Sequence, residues 1–319
     1  MYYVQGETME VIARHLGVSR STVSRLLARA REDGIVRITL VEPGGRGSLE
    51  SEMREAFGVE TRIVPVREGT TEIHRLEQVC AVAARRLVEL APTDGVIGTA
   101  WGTTMSELCA ALPARTVQGL SVVQLNGASD PEVLGPSAGE VLAAFHERLG
   151  ARTVAFPVPA FFDHASTREA MWSERSVRRV LALAERADLA VFGVGTAPVP
   201  GRGHAATLPS QVYAGGHLTD ADRQLLSRED VVGDVCTVML RADGSWQGIP
   251  LNRRATGPTP AQLARIPRRL CVVAGTGKAR ALLAALRARV ATDLVVDEAT
   301  ARAVLSLSRE RHARPRSSH

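Results

Sequence analysis

The sequence predicts an α/β protein with two parts: a small N-terminal helix-turn-helix domain and a larger domain built on a Rossmann-like parallel β-sheet. Two patterns predict this. A basic pair of helical patterns occupies the first 41 residues. Beyond it, β-branched runs alternate with helical patterns through most of the chain. Residues 42–48, EPGGRGS, have the proline and glycine content of a linker between the two parts.

The composition fits a globular protein of 319 residues and limits its function. The four cysteines are far apart and form no CxxC, which predicts buried thiols in a reducing cytoplasm and no disulfide or zinc framework. The eight histidines show no metal-ligand spacing. Neither a signal peptide nor a membrane span of about 18 apolar residues is recognisable. The formal net charge of +5 suggests an anionic partner.

Two helical patterns joined by a glycine make up the first domain. Residues 7–16 carry apolar side chains at helical spacing, and Gly17 supplies the left-handed turn that ends a helix. Ser19 is an N-cap for a second helix over residues 20–31, and residues 35–40, IVRITL, alternate like a short strand or wing. The apolar positions that predict the facing stripes are Met9, Ile12, Ala13, Leu16, Val23, Leu26, Leu27 and Ala30.

The second helix has the chemistry of a DNA reader. Between Arg14 and Arg31 there are five arginines and no acidic residue. In a helix-turn-helix the first residues of the second helix face base edges, where arginine reads guanine and hydroxyls bond phosphates or bases. The DNA-binding candidates are Arg20, Ser21, Thr22, Ser24 and Arg25. The alternative is an amphipathic hairpin that merely packs on another surface.

The larger domain is predicted to be a parallel sheet covered on both faces. Its predicted strands are residues 61–66, 95–100, 120–127, 152–158, 189–195, 270–277 and 293–297. Its predicted helices are residues 73–90, 103–112, 137–149, 167–187, 278–290 and 298–305. The last twelve residues, 308–319, are expected to be a disordered basic tail.

Three glycine-containing loops follow strands of this sheet: residues 98–104, 193–196 and 275–278. Ligands of open parallel sheets bind outside the carboxyl ends of the strands. Glycines let backbone N–H groups approach a ligand, threonines add hydroxyls, and a helix N-terminus favours an anion. Each loop could also contain glycine for steric reasons alone. Three of them in one sheet favour a phosphorylated or otherwise anionic small ligand.

Lys278, in the third loop, is the only lysine of the chain, since the other 38 of the 39 basic residues are arginine. Lysine supplies a point charge suited to phosphate. A Walker A loop is excluded because Val272 stands at its first glycine position and Ala279 follows the lysine. The sequence contains no GxGxxG motif and therefore does not predict a dinucleotide-binding site. No cofactor is expected. Asp234, early in VVGDVCTVML, could accept a hydrogen bond from a sugar hydroxyl or could be a turn residue.

Several segments together resemble a known family. They are IARHLGVSRSTVSRLLARAREDGIVRI, GVIGTAWGTTMSEL, FGVGT, VGDVC and VAGTGKARALLAALRARVATDLVVDEATARAVL. From Tyr3 to about Leu305 the chain resembles the SorC family of bacterial transcription regulators, which includes the sugar-binding DeoR-type repressors. The resemblance implies a DNA reader at residues 1–41, a linker at 42–48 and an effector domain of the phosphosugar-isomerase-like type at 49–307.

The resemblance also implies roles for individual residues. Residues 99–104 would hold a phosphate with backbone amides and hydroxyls, Lys278 would neutralise it, and Asn126, Gly195 and Asp234 would line the sugar. The full set of implied effector-binding residues is Gly98, Thr99, Trp101, Gly102, Thr103, Thr104, Asn126, Gly195, Asp234 and Lys278. Asn126 stands where some family members carry a basic residue, which argues against a second phosphate or an imine there. The short N-terminus also departs from the family pattern.

The implied function is that of a cytoplasmic repressor of a carbohydrate or polyol catabolic operon. It would bind operator DNA and a phosphorylated sugar or polyol, act as a dimer or tetramer of identical chains, and have no contact with a membrane. An alternative is a sugar-phosphate isomerase with an appended DNA-binding domain, for which Asp234 is the only obvious base. Another is an effector domain that has lost its ligand and serves assembly alone, and Lys278 argues against it.

Overall fold

The computed structural model describes residues 7–32, 48–128, 137–197, 210–214 and 218–312. The chain divides into two compact units, Met1–Gly45 and Arg46–His319, which are described separately below. No helix within these described ranges is long and apolar enough to cross a membrane.

The first unit contains a helical hairpin, α1 (Met9–Leu16) and α2 (Arg20–Glu32). Gly17 ends α1 in the left-handed region at φ 66° and ψ 28°, which is why a glycine is favourable there. The Ser19 hydroxyl accepts a hydrogen bond from the Thr22 N–H at 3.1 Å, as expected of an N-cap. Ile12, Ala13 and Val23 form the buried centre, and Met9 and Leu27 pack against it.

Leu16 and Leu26 differ from the predicted apolar stripes, because these residues are 52% and 54% exposed. Leu16 is the last residue of α1, and Leu26 lies beside the line that joins Val23 to Leu27 on α2. A hairpin of two short helices has one narrow seam and cannot cover the edges of both stripes. The predicted wing at residues 35–40 and residues 42–47 of the predicted linker lie outside the described residues.

The second unit holds the parallel sheet. Its strands, with three that form a separate small sheet, are β1 (Glu60–Val64), β2 (Val96–Thr99), β3 (Ser121–Gln124), β4 (Arg152–Val154), β5 (Leu189–Gly193), β6 (Gly195–Thr196), β7 (Val231–Val235), β8 (Val238–Arg241), β9 (Arg268–Val273) and β10 (Asp293–Asp297). Seven strands pair in parallel in the order β1-β10-β9-β5-β2-β3-β4. The predicted α/β class is confirmed.

The helices of this unit are α3 (Leu49–Phe57), α4 (Glu72–Leu90), α5 (Thr103–Ala110), α6 (Ala138–Leu149), α7 (Ala165–Ser173), α8 (Arg175–Glu185), α9 (Gln211–Ala214), α10 (Asp220–Arg228), α11 (Pro260–Leu263), α12 (Ala279–Arg287) and α13 (Glu298–His312). Short 3₁₀ turns cover Pro250–Arg253 and Thr276–Lys278.

Most predicted strands and helices are present with shifted ends, for example residues 152–154 instead of 152–158 and 268–273 instead of 270–277, and two predicted segments differ further. The single helix expected over residues 167–187 is two helices, α7 and α8, because Glu174 between them has extended backbone (φ −67°, ψ 139°). Its carbonyl accepts from the Arg178 N–H at 2.9 Å and so begins α8. Helix α13 continues through His312 and therefore includes the first five residues of the segment expected to be a tail, 308–312. Residues 313–319 lie outside the described residues.

The small antiparallel sheet, β6-β7-β8, was not predicted. Its hairpin turns at Cys236 and Thr237, both with positive φ, 48° and 70°. Two residues with positive φ are the mark of a type I′ turn, which normally contains asparagine or glycine. The sequence therefore carries no turn signal at this position, and β7 and β8 read as one apolar run.

The strand order creates a crevice between β2 and β5. From β2 the chain adds β3 and β4 on one side, and from β5 it adds β9 and β10 on the other. Loops that leave neighbouring parallel strands in opposite directions separate at their carboxyl ends, which is where open α/β sheets bind ligands.

Candidate functional site

A cavity of about 230 Å³ lies at this crevice. The loops after β2, β3, β5 and β9 line it, together with residues of β6 and β7 and the first turn of α4. The sequence-predicted residues that the structure brings together around it are Trp101, Gly102, Thr103, Thr104, Asn126, Gly195, Asp234 and Lys278. Five segments far apart in sequence thus converge on one space.

Gly98 and Thr99 are not among the lining residues. A β-carbon on Gly98 would come within 2.6 Å of the Leu125 side chain, so the glycine allows β2 and the end of β3 to pack. Thr99 is buried, and its hydroxyl donates to the Ala100 carbonyl at 2.9 Å. Both residues lie in β2, whose last residue is Thr99, and the cavity wall begins at the next residue, Ala100.

One side of the cavity suits an anion. Gly102 precedes α5 with φ 119° and ψ 178°, and it offers no side chain to cap the helix. The N–H groups of the first turn of α5, which no side-chain cap covers, and the positive end of the helix dipole therefore lie at the cavity wall. The Lys278 Nζ lies 3.5 Å from the Thr104 hydroxyl of that first turn. A cation and a helix N-terminus meet there.

Asp297, the last residue of the neighbouring strand β10, holds the turn that carries Lys278. The Gly275 N–H donates to Asp297 Oδ2 at 2.8 Å, and Arg75 binds the other oxygen of this buried carboxylate at 3.0 Å. The Thr300 hydroxyl also donates to Asp297 Oδ2, at 2.7 Å. These bonds fix the start of the loop, and a fixed loop positions Lys278 before any ligand arrives.

A second side of the cavity consists of buried polar side chains. Asn126 follows β3, Thr196 ends β6, and Asp234 lies on β7 directly opposite Gly195. All three are buried and line the cavity. Asp234 Oδ2 accepts from the Thr237 N–H at 3.2 Å. A β-carbon on Gly195 would lie 1.9 Å from Asp234 Oδ1, so only glycine leaves that oxygen its place.

Burial raises the pKa of the Asp234 carboxyl from its ordinary value of 3.8 to about 6, against the opposing effects of the Thr237 N–H, the Ser210 hydroxyl and the Lys278 charge. Burial lowers the pKa of Lys278, and neighbouring groups, Asp234 and Glu72 among them, partly restore it. Glu72 is the third charged residue among the lining residues described. Within the described ranges no cluster of three or more His, Cys, Asp or Glu could hold a metal ion.

Some lining residues had no signal in the sequence. Glu72, Ile73 and Leu76 come from the start of α4, and Ser210, Gln211 and Val212 come from the start of α9 and the residue before it. The first turn of α4 reaches the cavity because β1, which precedes it, pairs with β10 beside β9. Strand order is set by tertiary packing, and a local pattern around Glu72 does not reveal it.

Replacing Asp234 with asparagine is expected to stabilise the ligand-free protein at pH 8 by about 3 kcal/mol. Because the folded pKa is raised, the folded state binds the proton more tightly than the unfolded state. Ionisation of Asp234 therefore costs stability as the pH rises from about 4 through 6. Urea unfolding at pH 5 and pH 8 measures the difference, which should be larger at pH 8.

The matched control is Asp243→Asn, because hydrogen bonds from Ser245 lower the pKa of the exposed Asp243 carboxyl. Its removal should cost stability at pH 8, with the opposite sign. An Asp234→Asn variant whose stability relative to the native protein is the same at both pH values would show that the carboxyl titrates normally.

The DNA-binding candidates lie at the start of α2. Arg20, Ser21, Ser24 and Arg25 are exposed, and Thr22 is half-buried. The Arg20 Nε lies 2.8 Å from Glu10 Oε1 in an exposed ion pair. The Ser19 hydroxyl is 2.7 Å from that of Ser21 and 2.9 Å from that of Thr22. Arg25 is the exposed arginine one turn further along the helix.

Comparison with known families gives two matches. Residues 42–306 match the family described as "Putative sugar-binding domain". Residues 1–37 match the family described as "Homeodomain-like domain".

Similar proteins match along nearly the whole chain. The deoxyribonucleoside regulator of Bacillus subtilis (strain 168) is 28% identical over 310 residues, which cover 96% of this chain and 95% of that protein. The transcriptional regulator LsrR of Klebsiella pneumoniae subsp. pneumoniae is 31% identical over 311 residues, covering 96% and 91%. The sorbitol operon regulator of Klebsiella pneumoniae is 26% identical over 317 residues, covering 96% and 95%.

Solved structures with the same fold include one domain and one whole regulator. A domain of a possible sugar-binding transcriptional regulator from Arthrobacter aurescens TC1 has a TM-score of 0.73 at 42% identity and covers 84% of this chain and 100% of that one. The full-length sorbitol operon regulator SorC from Klebsiella pneumoniae has a TM-score of 0.76 at 24% identity and covers 95% of both chains.

Proposed function

The chain belongs to the SorC family of sugar-binding transcriptional regulators, and we propose that a phosphorylated sugar or polyol binds in the cavity at the β2–β5 crevice and changes the affinity of the protein for operator DNA. One observation carries the proposal. The start of α5 and the sole lysine meet at the cavity wall, and buried polar side chains suited to a sugar line the same space.

The proposed roles follow from the chemistry of each wall. Backbone N–H groups at Gly102–Thr104 and the threonine hydroxyls bind the phosphate, as helix N-termini commonly do. Lys278 neutralises one of its charges. Asn126 and Asp234 accept hydrogen bonds from sugar hydroxyls, and Gly195 leaves room for Asp234. Trp101 closes one side, with its indole N–H donating to the Gly127 carbonyl at 2.6 Å.

On the DNA side, α2 reads the major groove with Arg20, Ser21, Thr22, Ser24 and Arg25. Helix-turn-helix regulators that act as dimers bind two half-sites about one helical turn, or a multiple of it, apart. These proposed roles fit a homodimer or homotetramer that represses a carbohydrate or polyol operon. The effector must bind one arrangement of the oligomer better than the other, because equal affinity for both shifts nothing.

Catalysis as an isomerase has less support. The relatives that match along the chain are named as regulators. Proton transfer at a substrate carbon needs a base within hydrogen-bond reach of that carbon. Asp234 would have to be that base, although the same carboxylate is proposed to accept hydrogen bonds from sugar hydroxyls. The regulator is the function that the site favours.

A thermal unfolding series tests the proposal. The full-length protein is heated with each of a panel of sugar and polyol phosphates and with the matching unphosphorylated compounds. A phosphate at 100 times its dissociation constant should add about 2.7 kcal/mol of stability, a rise of several degrees in melting temperature. An unphosphorylated compound that stabilises as strongly as its phosphate, or a panel without any stabilising phosphate, would contradict the proposed ligand class.

A further inference from the structure

Three buried polar atoms in the cavity wall need hydrogen-bond partners. Among the described residues, five buried side-chain nitrogen or oxygen atoms have no hydrogen-bond partner, and three of the five belong to this one cavity. They are Asn126 Oδ1, Thr196 Oγ1 and Asp234 Oδ1, on side chains only 3%, 7% and 4% exposed. Such a concentration at one site indicates groups that are meant to be satisfied by a ligand.

The chemistry of these atoms specifies what the ligand brings. An amide oxygen and an ionised carboxylate oxygen only accept hydrogen bonds, and a threonine hydroxyl can accept or donate. A sugar or polyol hydroxyl donates one hydrogen bond. A methylene or a phosphate oxygen at the same place donates none. Asn126 Oδ1 and Asp234 Oδ1 therefore favour hydroxyl groups.

Hydrogen bonds hold the backbone around Asn126 and one carboxylate oxygen of Asp234 in place. The loop that carries Asn126 is tied by Gln124 Nε2, which donates to the Asn126 carbonyl at 2.7 Å, and by Thr256, whose hydroxyl accepts from the Gly127 N–H at 2.9 Å. Asp234 is fixed through the Thr237 N–H. A fixed acceptor that has no hydrogen-bond partner among the described side chains makes the loss of a ligand hydroxyl costly.

The charges of the lining residues also favour hydroxyl groups over a second phosphate at Asp234. The charged residues among the described lining are one cation, Lys278, and two carboxylates, Asp234 and Glu72. A phosphate beside Lys278 and the start of α5 is matched by positive groups. A second phosphate that reached Asp234 would meet a buried carboxylate, and like charges at close range in a buried site repel strongly.

From these observations we infer that the effector presents free hydroxyl groups, and no second phosphate, to Asn126, Thr196 and Asp234, so that deoxy and bisphosphorylated analogues are rejected. The inference rests on the proposed function and narrows its ligand class to polyhydroxyl monophosphates. Asp234 acts as the residue that sets this selectivity, and Asn126 adds to the rejection of deoxy compounds.

Calorimetric titration of the full-length protein with matched pairs tests the inference. The pairs are D-ribose 5-phosphate with 2-deoxy-D-ribose 5-phosphate, D-glucose 6-phosphate with 2-deoxy-D-glucose 6-phosphate, and D-fructose 6-phosphate with D-fructose 1,6-bisphosphate. The monophosphate with all hydroxyls should bind at least about tenfold more tightly than its partner in the pairs that bind. Asp234→Asn should shrink both the deoxy and the bisphosphate ratios toward one.

The control variant is Asn126→Leu, which removes the amide without changing the charge of the wall. It should shrink the deoxy ratio and leave the bisphosphate ratio as in the native protein, a split that a merely structural defect would not produce. Equal affinities within the pairs, or ratios unchanged by Asp234→Asn, would overturn the inference and leave the proposed function standing. Absence of binding by every phosphate in the panel would overturn both.

Discussion

Replacing Lys278 with alanine is expected to abolish the stabilisation by a sugar phosphate, about 2.7 kcal/mol at 100 times the native dissociation constant, and to leave operator affinity unchanged in the absence of ligand. Lys278 is the one cation among the described lining residues, and its Nζ lies 3.5 Å from Thr104 at the start of α5. Burial already lowers the pKa of its ammonium group, so removing it should cost the ligand-free protein little.

Two variants make the Lys278 result specific. Arg280→Ala removes a positive charge two residues away, from an exposed position on α12, and should leave the stabilisation intact. Lys278→Arg keeps the charge but replaces a compact ammonium by a planar fork, and it should weaken the phosphate response. Stabilisation of Lys278→Ala at native ligand concentrations would show that the phosphate binds elsewhere.

The second large effect is expected at the DNA-reading helix. Arg25→Ala should weaken operator binding by roughly 1–3 kcal/mol, about fivefold to 150-fold, if its exposed guanidinium reads a base. The effector-induced rise in melting temperature should be unchanged, because Arg25 belongs to the first unit and the cavity to the second. Fluorescence anisotropy with the operator and with an unrelated duplex measures the loss of specificity.

Arg14→Ala is the comparison for Arg25. Arg14 is exposed in the last turn of α1 and does not belong to the helix that is predicted to face bases. Its loss should weaken operator and unrelated DNA alike and reduce the salt dependence of binding. Native affinity and specificity in Arg25→Ala would assign base recognition to another residue of α2.

The parts that sequence could predict are those encoded in contiguous residues. The hairpin of α1 and α2 follows from Gly17 and Ser19, whose conformations and bonds are local. Eight of the ten implied effector residues line one cavity, because glycine loops at the ends of parallel strands meet at one edge of a sheet. Gly98 and Thr99 share the same motif, yet they lie within β2 before the wall begins, where Gly98 allows close packing and Thr99 bonds to the Ala100 carbonyl.

The parts that sequence could not predict depend on contacts between distant segments. Glu72 enters the cavity wall through the pairing of β1 with β10, more than 200 residues later in the chain. The hairpin of β7 and β8 turns at Cys236 and Thr237, which lack any turn signature. Glu174 interrupts a continuous helical pattern by adopting extended backbone, although no proline or glycine near it in the sequence predicts a break in the helix.

The most direct measurement of the central claim is the affinity of the full-length protein for its operator, by fluorescence anisotropy, with and without a saturating sugar phosphate from the panel. The expected result is a change in operator affinity of about fivefold to 150-fold, the usual range of coupling free energies, in the native protein and none in Lys278→Ala. An unchanged operator affinity in native protein that demonstrably holds the phosphate would contradict the account, because ligand and DNA would then bind independently.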